Sequence, residues 1–221
     1  MIKSIIFDFD GVIADSNNVK TEAFIQLFDG YSSCLKEKIK TFHLQNGGMS
    51  RFEKFRYIYE NFIKEPLSDE RFNKLCRDFK RFVVDRVVSA PLIDGVKNFL
   101  EENKDRYKFY IVSGTPDEEI KEIVKRRGLG IYFSDVYGSP RSKKELIEIV
   151  LKENDYSPED VVFLGDSIND YEGAKGVGVK FVGKVSNDPA FDLFPNIILK
   201  AKIKTMDEFE RYLEKKNENS I

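Results

Sequence analysis

Cysteine is scarce: Cys34 and Cys76 are the only two in 221 residues, far apart and without metal-ligand spacing. That excludes a zinc site built on thiolates and leaves reduced thiols in a cytoplasmic protein as the plain reading. Histidine is scarcer still, and the single His43 reads as a packing or surface residue rather than a catalyst. No apolar run approaches the roughly 20 residues of a transmembrane helix. The apolar start Ile5-Ile6-Phe7 turns acidic at Asp8 and Asp10, which a signal peptide would not tolerate. Nor is there a surplus of positive charge: 36 Lys and Arg against 38 Asp and Glu leave a net of -2, so no basic excess is available to grip a nucleic-acid backbone. The 41% hydrophobic content excludes wholesale disorder. The length suits one main domain plus an insertion.

Short β-branched runs alternate with helical periodicity. Ser4 to Phe9 reads as a buried strand, and apolar runs recur at Phe109 to Val112, Val161 to Leu164, Lys180 to Val182 and Asn196 to Leu199. From about residue 90 onward, strands alternate with helices, which predicts an α/β fold with a parallel sheet. Between residues 16 and 88 the apolar positions follow helical spacing and no strand is evident. Ser50-Arg51-Phe52-Glu53 has capping-box form, so a helix is expected just after Gly47-Gly48, and Ser68 with Asp69 and Glu70 opens another. The many phenylalanines of this insertion read as packing rather than as an aromatic binding platform.

Four spots carry chemistry. Asp8 and Asp10 stand two residues apart at the end of the first strand, so their carboxylates project to the same side, and Gly11 lets the chain turn away. A strand running into an acidic turn gives the same letters. Ser113-Gly114-Thr115 follows the strand ending at Val112. With Thr115 as N-cap and Pro116 at the first helical position, a helix N-terminus and a hydroxyl are expected to face a phosphate-sized space; an ordinary strand-turn-helix junction fits the same residues. Ser142 and Glu145 form a second capping box around Lys143 and Lys144, where the helix dipole opposes a positive charge. Leu146, Ile147 and Val150 stand three, four and seven residues after Lys143, which turns Lys143 inward, whereas Lys144 is followed at i+4 by Glu148. Two solvated lysines are the alternative. Finally, the apolar Val161 to Leu164 ends in Gly165, Asp166 and, four residues on, Asp170, a hard-cation site in outline.

Taken in this order, with a helical insertion after the first spot, the sequence resembles the haloacid dehalogenase superfamily, in its phosphatase branch with a helical cap. The resemblance rests on Asp8-x-Asp10-Gly-Val-Ile-x-Asp15-Ser16, Ser113-Gly-Thr, Lys143 and Gly-Asp166-Ser-x-Asn-Asp170. It implies a Rossmann-like core formed by residues 1–15 and 89–221, with residues 16–88 as the cap. It further implies Asp8 as nucleophile, Asp10 as acid and base, and Ser113, Gly114, Thr115 and Lys143 around the phosphoryl group. Mg²⁺ would be held by Asp8, Asp166, the Asp10 backbone carbonyl and Asp170, the last directly or by orienting a ligand. The residue after Gly11 is Val12 where many relatives carry Thr.

A cap hinged near Asp15-Ser16 and Ser89-Ala90-Pro91 would exclude water and select the leaving group. In capped relatives a glycine loop like Gly47-Gly48 dips toward the site; Arg51 beside it could pair with an anionic group of the substrate or lie on the surface. The expected partner is a small soluble phosphomonoester, such as a sugar phosphate or phosphoglycolate, handled by a monomer or weak homodimer. A β-phosphoglucomutase-type mutase is the nearest alternative, weakened by Lys20 near the place of that group's cap histidine. A non-catalytic binding protein on the same fold is a more distant one.

Overall fold

The computed structural model describes residues 1–185 and 201–218; the strand expected at 196–199 lies outside them. Six parallel strands form one sheet: β1 (Ser4–Phe7), β2 (Lys108–Pro116), β3 (Phe133–Ser139), β4 (Val161–Gly165), β5 (Lys180–Lys184) and β6 (Lys202–Ile203). Their order is β3-β2-β1-β4-β5-β6, the doubly wound arrangement in which ligands bind beyond the strand ends where the winding reverses, here between β1 and β4. Every residue of β1 and β4 is buried, as a sheet covered on both faces demands.

Alternate residues serve opposite faces. Ile5 and Phe7 join Phe109, Ile111, Val162 and Leu164 on one side, where Phe7 makes edge-on ring contacts with Phe99, Phe109, Phe133 and Phe209. This face receives α5 (Val96–Asn103), α6 (Asp117–Arg126) and α9 (Met206–Glu218). Ile6, Tyr110, Val112 and Phe163 face the other way, against Leu146, Ile147 and Val150 of α7 (Lys143–Glu153) and Ala174 of α8 (Ile168–Gly176). The inward stripe read for α7 is therefore present.

The insertion between β1 and β2 is helical: α1 (Asn17–Gln26), α2 (Ser33–Gln45), α3 (Arg51–Ile58), which runs on into a π-helical turn at Tyr59–Ile63, and α4 (Asp69–Ser89). Ser50 and Ser68 cap α3 and α4, the first in a complete box with Glu53. Phe55 stacks on Phe24, with ring centroids 5.2 Å apart, and Phe79 meets Phe24 edge-on, so these rings form the insertion's core. The two crossings between core and insertion run side by side, Asp15 N–H donating to the Pro91 carbonyl at 2.9 Å and Ile93 N–H to that of Ile13 at 3.0 Å. Among the described residues no helix is long and apolar enough to cross a membrane.

The structure corrects one local expectation. Thr115 does not cap α6: β2 continues through Pro116, which is extended at φ -53° and ψ 143°, and the helix opens at Asp117 without a side-chain cap. A bulge between Ser113 and Pro116 keeps the strand paired to β3, and the Thr115 hydroxyl is engaged elsewhere.

Candidate active site

Asp8 lies one residue past β1, still tied to β4 through its N–H to the Leu164 carbonyl at 2.9 Å. Asp166 lies one residue past β4. Parallel pairing in register therefore brings two carboxylates together from positions 158 residues apart in the chain. Gly11 turns the chain at φ 75°, and a Cβ there would collide with Asp166 Oδ2, so only glycine fits between this turn and the Asp166 carboxylate. Asp170 completes the group: one ligand oxygen from each of Asp8, Asp166 and Asp170 lies within 4.8 Å of the others, and all three residues are buried. An all-oxygen cluster of this kind fits a hard divalent cation.

Lys143 is buried among them. Its ammonium bonds Asp170 Oδ1 and lies 3.0 Å from Asp8 Oδ1, whereas Lys144 is exposed and pairs with Glu148 at 3.8 Å. The other oxygen of Asp170 accepts from Ser167 N–H and Oγ at 3.0 and 2.6 Å, closing a capping box on α8. Both Asp170 oxygens are thus occupied, which suits it to holding Lys143 and α8 in place. Burial and the neighbouring Asp170 charge push Asp8 well above the usual carboxylate range, and the same two causes push Asp166 up to about 7. Burial opposes the charge on Lys143, but Asp170 and Asp8 outweigh it and hold the ammonium above its ordinary value.

Asp10 faces a different set of partners. Ser16 Oγ donates to its Oδ1 at 2.6 Å, Lys20 bonds its Oδ2, and Lys20 also donates to Thr115 Oγ1 at 2.7 Å. Burial works to raise Asp10, but the charge and hydrogen bond of Lys20 prevail and hold it below the usual carboxylate range. Ser113 is buried in β2 just before its bulge, where its Oγ accepts from Thr115 N–H at 3.1 Å.

The Gly47-Gly48 loop lies over this floor. The Gly47 carbonyl accepts from Asn169 Nδ2 at 3.1 Å, and a Cβ on Gly48 would strike Ser167 Oγ and stand 3.1 Å from Lys143 Nζ. Gly114 is equally constrained, because a Cβ there would meet the Gly48 carbonyl. The pocket between loop and floor leaves about 80 Å³ of room for water centres and is lined by Asp8, Asp10, Lys20, Arg51, Lys54 and Phe79, among others. Arg51 borders it, but its guanidinium is bidentate on Glu119 of α6 at 3.1 and 2.5 Å, stacked over Phe79. Breaking a buried pair from one side leaves the other charge uncompensated, so Arg51→Ala is expected to destabilise the protein by about 3 to 5 kcal/mol. Urea unfolding should show this, with the Arg51→Ala/Glu119→Ala double variant more stable than the single; a single variant of wild-type stability would contradict it.

Sequence reasoning noted Lys20 only as standing near the place of a cap histidine, and gave no role to Asn17, Lys54, Ser167 or Glu119. Asn17 donates to Asp166 Oδ2 at 2.8 Å. For Ser167 a signal was available, since Ser167-Ile-Asn-Asp170 is itself a capping-box spacing. For Lys54 it was the register Arg51, Lys54, Phe55, Ile58 on the inward face of α3.

With carboxylates, lysine and hydroxyls in these places, the comparison with known proteins is decisive. The family model described as haloacid dehalogenase-like hydrolase matches residues 5–184. The chain belongs to that family. It is 28% identical over 186 residues to the phosphorylated carbohydrates phosphatase of Thermotoga maritima, covering 81% of this chain and 83% of that one. The fold is shared with β-phosphoglucomutase from Clostridium difficile (TM-score 0.75, 19% identity, 99% of each chain). It is shared also with a hydrolase of the family from Bacillus subtilis solved bound to magnesium (TM-score 0.68, 20% identity, 96% of this chain and 99% of that one). This member of the haloacid dehalogenase-like hydrolases is a phosphatase.

Proposed function

We propose that the protein is a Mg²⁺-dependent phosphatase that hydrolyses a small soluble phosphomonoester through an aspartyl-phosphate on Asp8. The observation that carries this reading is the division of labour between Asp8, set among Asp166, Asp170 and Lys143, and Asp10, set apart with Lys20, Ser16 and Thr115.

An Asp8 carboxylate oxygen attacks phosphorus, the ester P–O bond breaks, and the leaving oxygen takes a proton from Asp10, which Lys20 holds ionised in the free protein and which must first be protonated from the bound phosphomonoester monoanion or from solvent. Water then attacks the aspartyl-phosphate, its proton passes to Asp10, and inorganic phosphate leaves with the Asp8 carboxylate restored. Ser113, the Gly114 and Thr115 backbone and Lys143 hold the phosphoryl oxygens, with Lys143 supplying positive charge. Asp8, Asp166 and the Asp10 carbonyl would hold Mg²⁺, with Asp170 supporting from behind; when bound, the ion offsets repulsion between an anionic nucleophile and an anionic phosphoryl group. Residues 16–88 act as the cap over the core of residues 1–15 and 89–221. Two free thiols, Cys34 exposed and Cys76 half-buried, suit a cytoplasmic setting.

Metal binding requires ionised carboxylates, whereas burial and Asp170 favour the protonated forms of Asp8 and Asp166, so binding draws protons from this cluster. Asp10, held low, is already ionised near neutrality, and Lys143, held high, stays charged, so neither alters the sign. Mg²⁺ affinity is therefore expected to fall as pH drops through about 7, the value to which Asp166 is raised. Calorimetry in buffers of different protonation enthalpy should detect proton release on binding. A pH-independent affinity without proton release would contradict this.

Phosphatase and mutase readings separate in one incubation of a sugar phosphate with the protein and Mg²⁺. Free phosphate is the expected product; an isomerised sugar phosphate without phosphate release would overturn the reading.

A further inference from the structure

The cap turns two cations toward the cavity from one helix, and they are not equivalent. Arg51 is neutralised by Glu119. Lys54, one turn further along α3, is 5% exposed and lines the same cavity as Asp8 and Asp10, yet among the described residues no carboxylate lies within ion-pair distance of it. Its contacts are the His43 carbonyl at 3.3 Å, His43 Nδ1 at 3.4 Å and the face of Phe24 at 5.8 Å. Burying an ammonium without a counter-charge costs several kcal/mol, and an apolar side chain would pack this face of α3 at no such cost. Burial, reinforced by the charge of Lys20 and only partly offset by that of Asp10, pushes the Lys54 amine down to about 7, the condition of a cation that lacks a partner in contact.

Below it the site is organised with opposite polarity. The floor is acidic and takes the phosphoryl group, Lys20 is committed to Asp10, and Lys143 to Asp8 and Asp170. Lys54 is left as the buried cation of the cavity wall whose partner must come from the ligand. The little room in the pocket suits a compact group such as a carboxylate.

We propose that Lys54 is a specificity-determining residue that receives an anionic group, chiefly a carboxylate, carried on the leaving alcohol. His43 supports it by holding the amine in position. The inference rests on the phosphatase reading and names the class of its substrate: phosphomonoesters of small hydroxy acids are preferred over those of neutral alcohols and sugars.

The test uses the full chain with Mg²⁺ and two size-matched pairs, phosphoglycolate against 2-hydroxyethyl phosphate and 3-phosphoglycerate against glycerol 3-phosphate. Wild type should favour the acid of at least one pair by about tenfold or more in kcat/KM, the discrimination one paired charge gives. Lys54→Met should reduce that preference about tenfold, by lowering the acid's kcat/KM much further than the neutral ester's, and Lys54→Arg should restore most of it. A wild type that hydrolyses the neutral esters as well as the acids overturns the inference while leaving the phosphatase reading intact. A Lys54→Met variant that loses both equally also overturns it, and thermal melts of the two variants show whether such a loss is one of folding. No phosphate release from any of the four esters overturns both.

Discussion

Asp8→Asn is expected to lower Mg²⁺-dependent phosphate release from a generic phosphomonoester by at least about a thousandfold, since the covalent step has no second nucleophile to fall back on. The substitution is close to isosteric and leaves β1, with its four buried residues, untouched. It also replaces a carboxyl whose charged form burial and Asp170 disfavour by a neutral amide, so the metal-free variant should be no less stable than wild type. Loss of turnover with retained thermal stability is the expected pair of results. An Asp8→Asn protein turning over within tenfold of wild type would sink the covalent mechanism.

The second large effect is expected at Lys20. Removing it as Lys20→Met should lower kcat by about a hundredfold, within the range attributed to positioned proton transfer. Lys20 bridges Asp10 and Thr115 and so fixes where the Asp10 carboxylate stands. It also favours the ionised form of Asp10, the form needed to accept a proton from the attacking water. With the cation gone, only the Ser16 hydrogen bond and the charge of Lys143 still oppose burial at Asp10, and its pKa rises. The acidic limb of the kcat profile should therefore move to higher pH in Lys20→Met and return toward wild type in Lys20→Arg. A hundredfold loss without any movement of that limb would reduce Lys20 to a structural contact.

The two sites differ in how far they could be read in advance. Lys143 was legible because its neighbours are helical ones: Leu146, Ile147 and Val150 define the buried face of α7, and a lysine in that register must point inward. Asp8 and Asp166 were legible because each ends an apolar strand. Lys20 was not, because it stands in the polar run Asn17-Asn18-Val19-Lys20, and its partners arrive only through the turn at Gly11 and the bulge after Ser113. Arg51 illustrates the same limit. Its place beside the glycine loop was readable, but its commitment to Glu119 depends on α3 and α6 meeting, 68 residues apart in the chain. The strand β3 was missed for a local reason: Phe133-Ser134-Asp135-Val136 is an edge strand with two exposed polar residues in sequence, and carries no continuous apolar run.

Thr115 shows how the site itself can override a local rule. Thr-Pro-Asp-Glu is a good helix start by composition, yet the hydroxyl that would cap α6 instead accepts from Lys20 and faces Asp10. The helix begins later, and the residue is kept for the site.

The central claim is that the phosphoryl group passes through Asp8 rather than directly to water, and the stereochemical course at phosphorus tests it most directly. Two in-line displacements, each inverting, predict overall retention when an isotopically chiral phosphomonoester is hydrolysed by the full chain with Mg²⁺. Inversion would mean a single attack by water and would contradict the role assigned to Asp8.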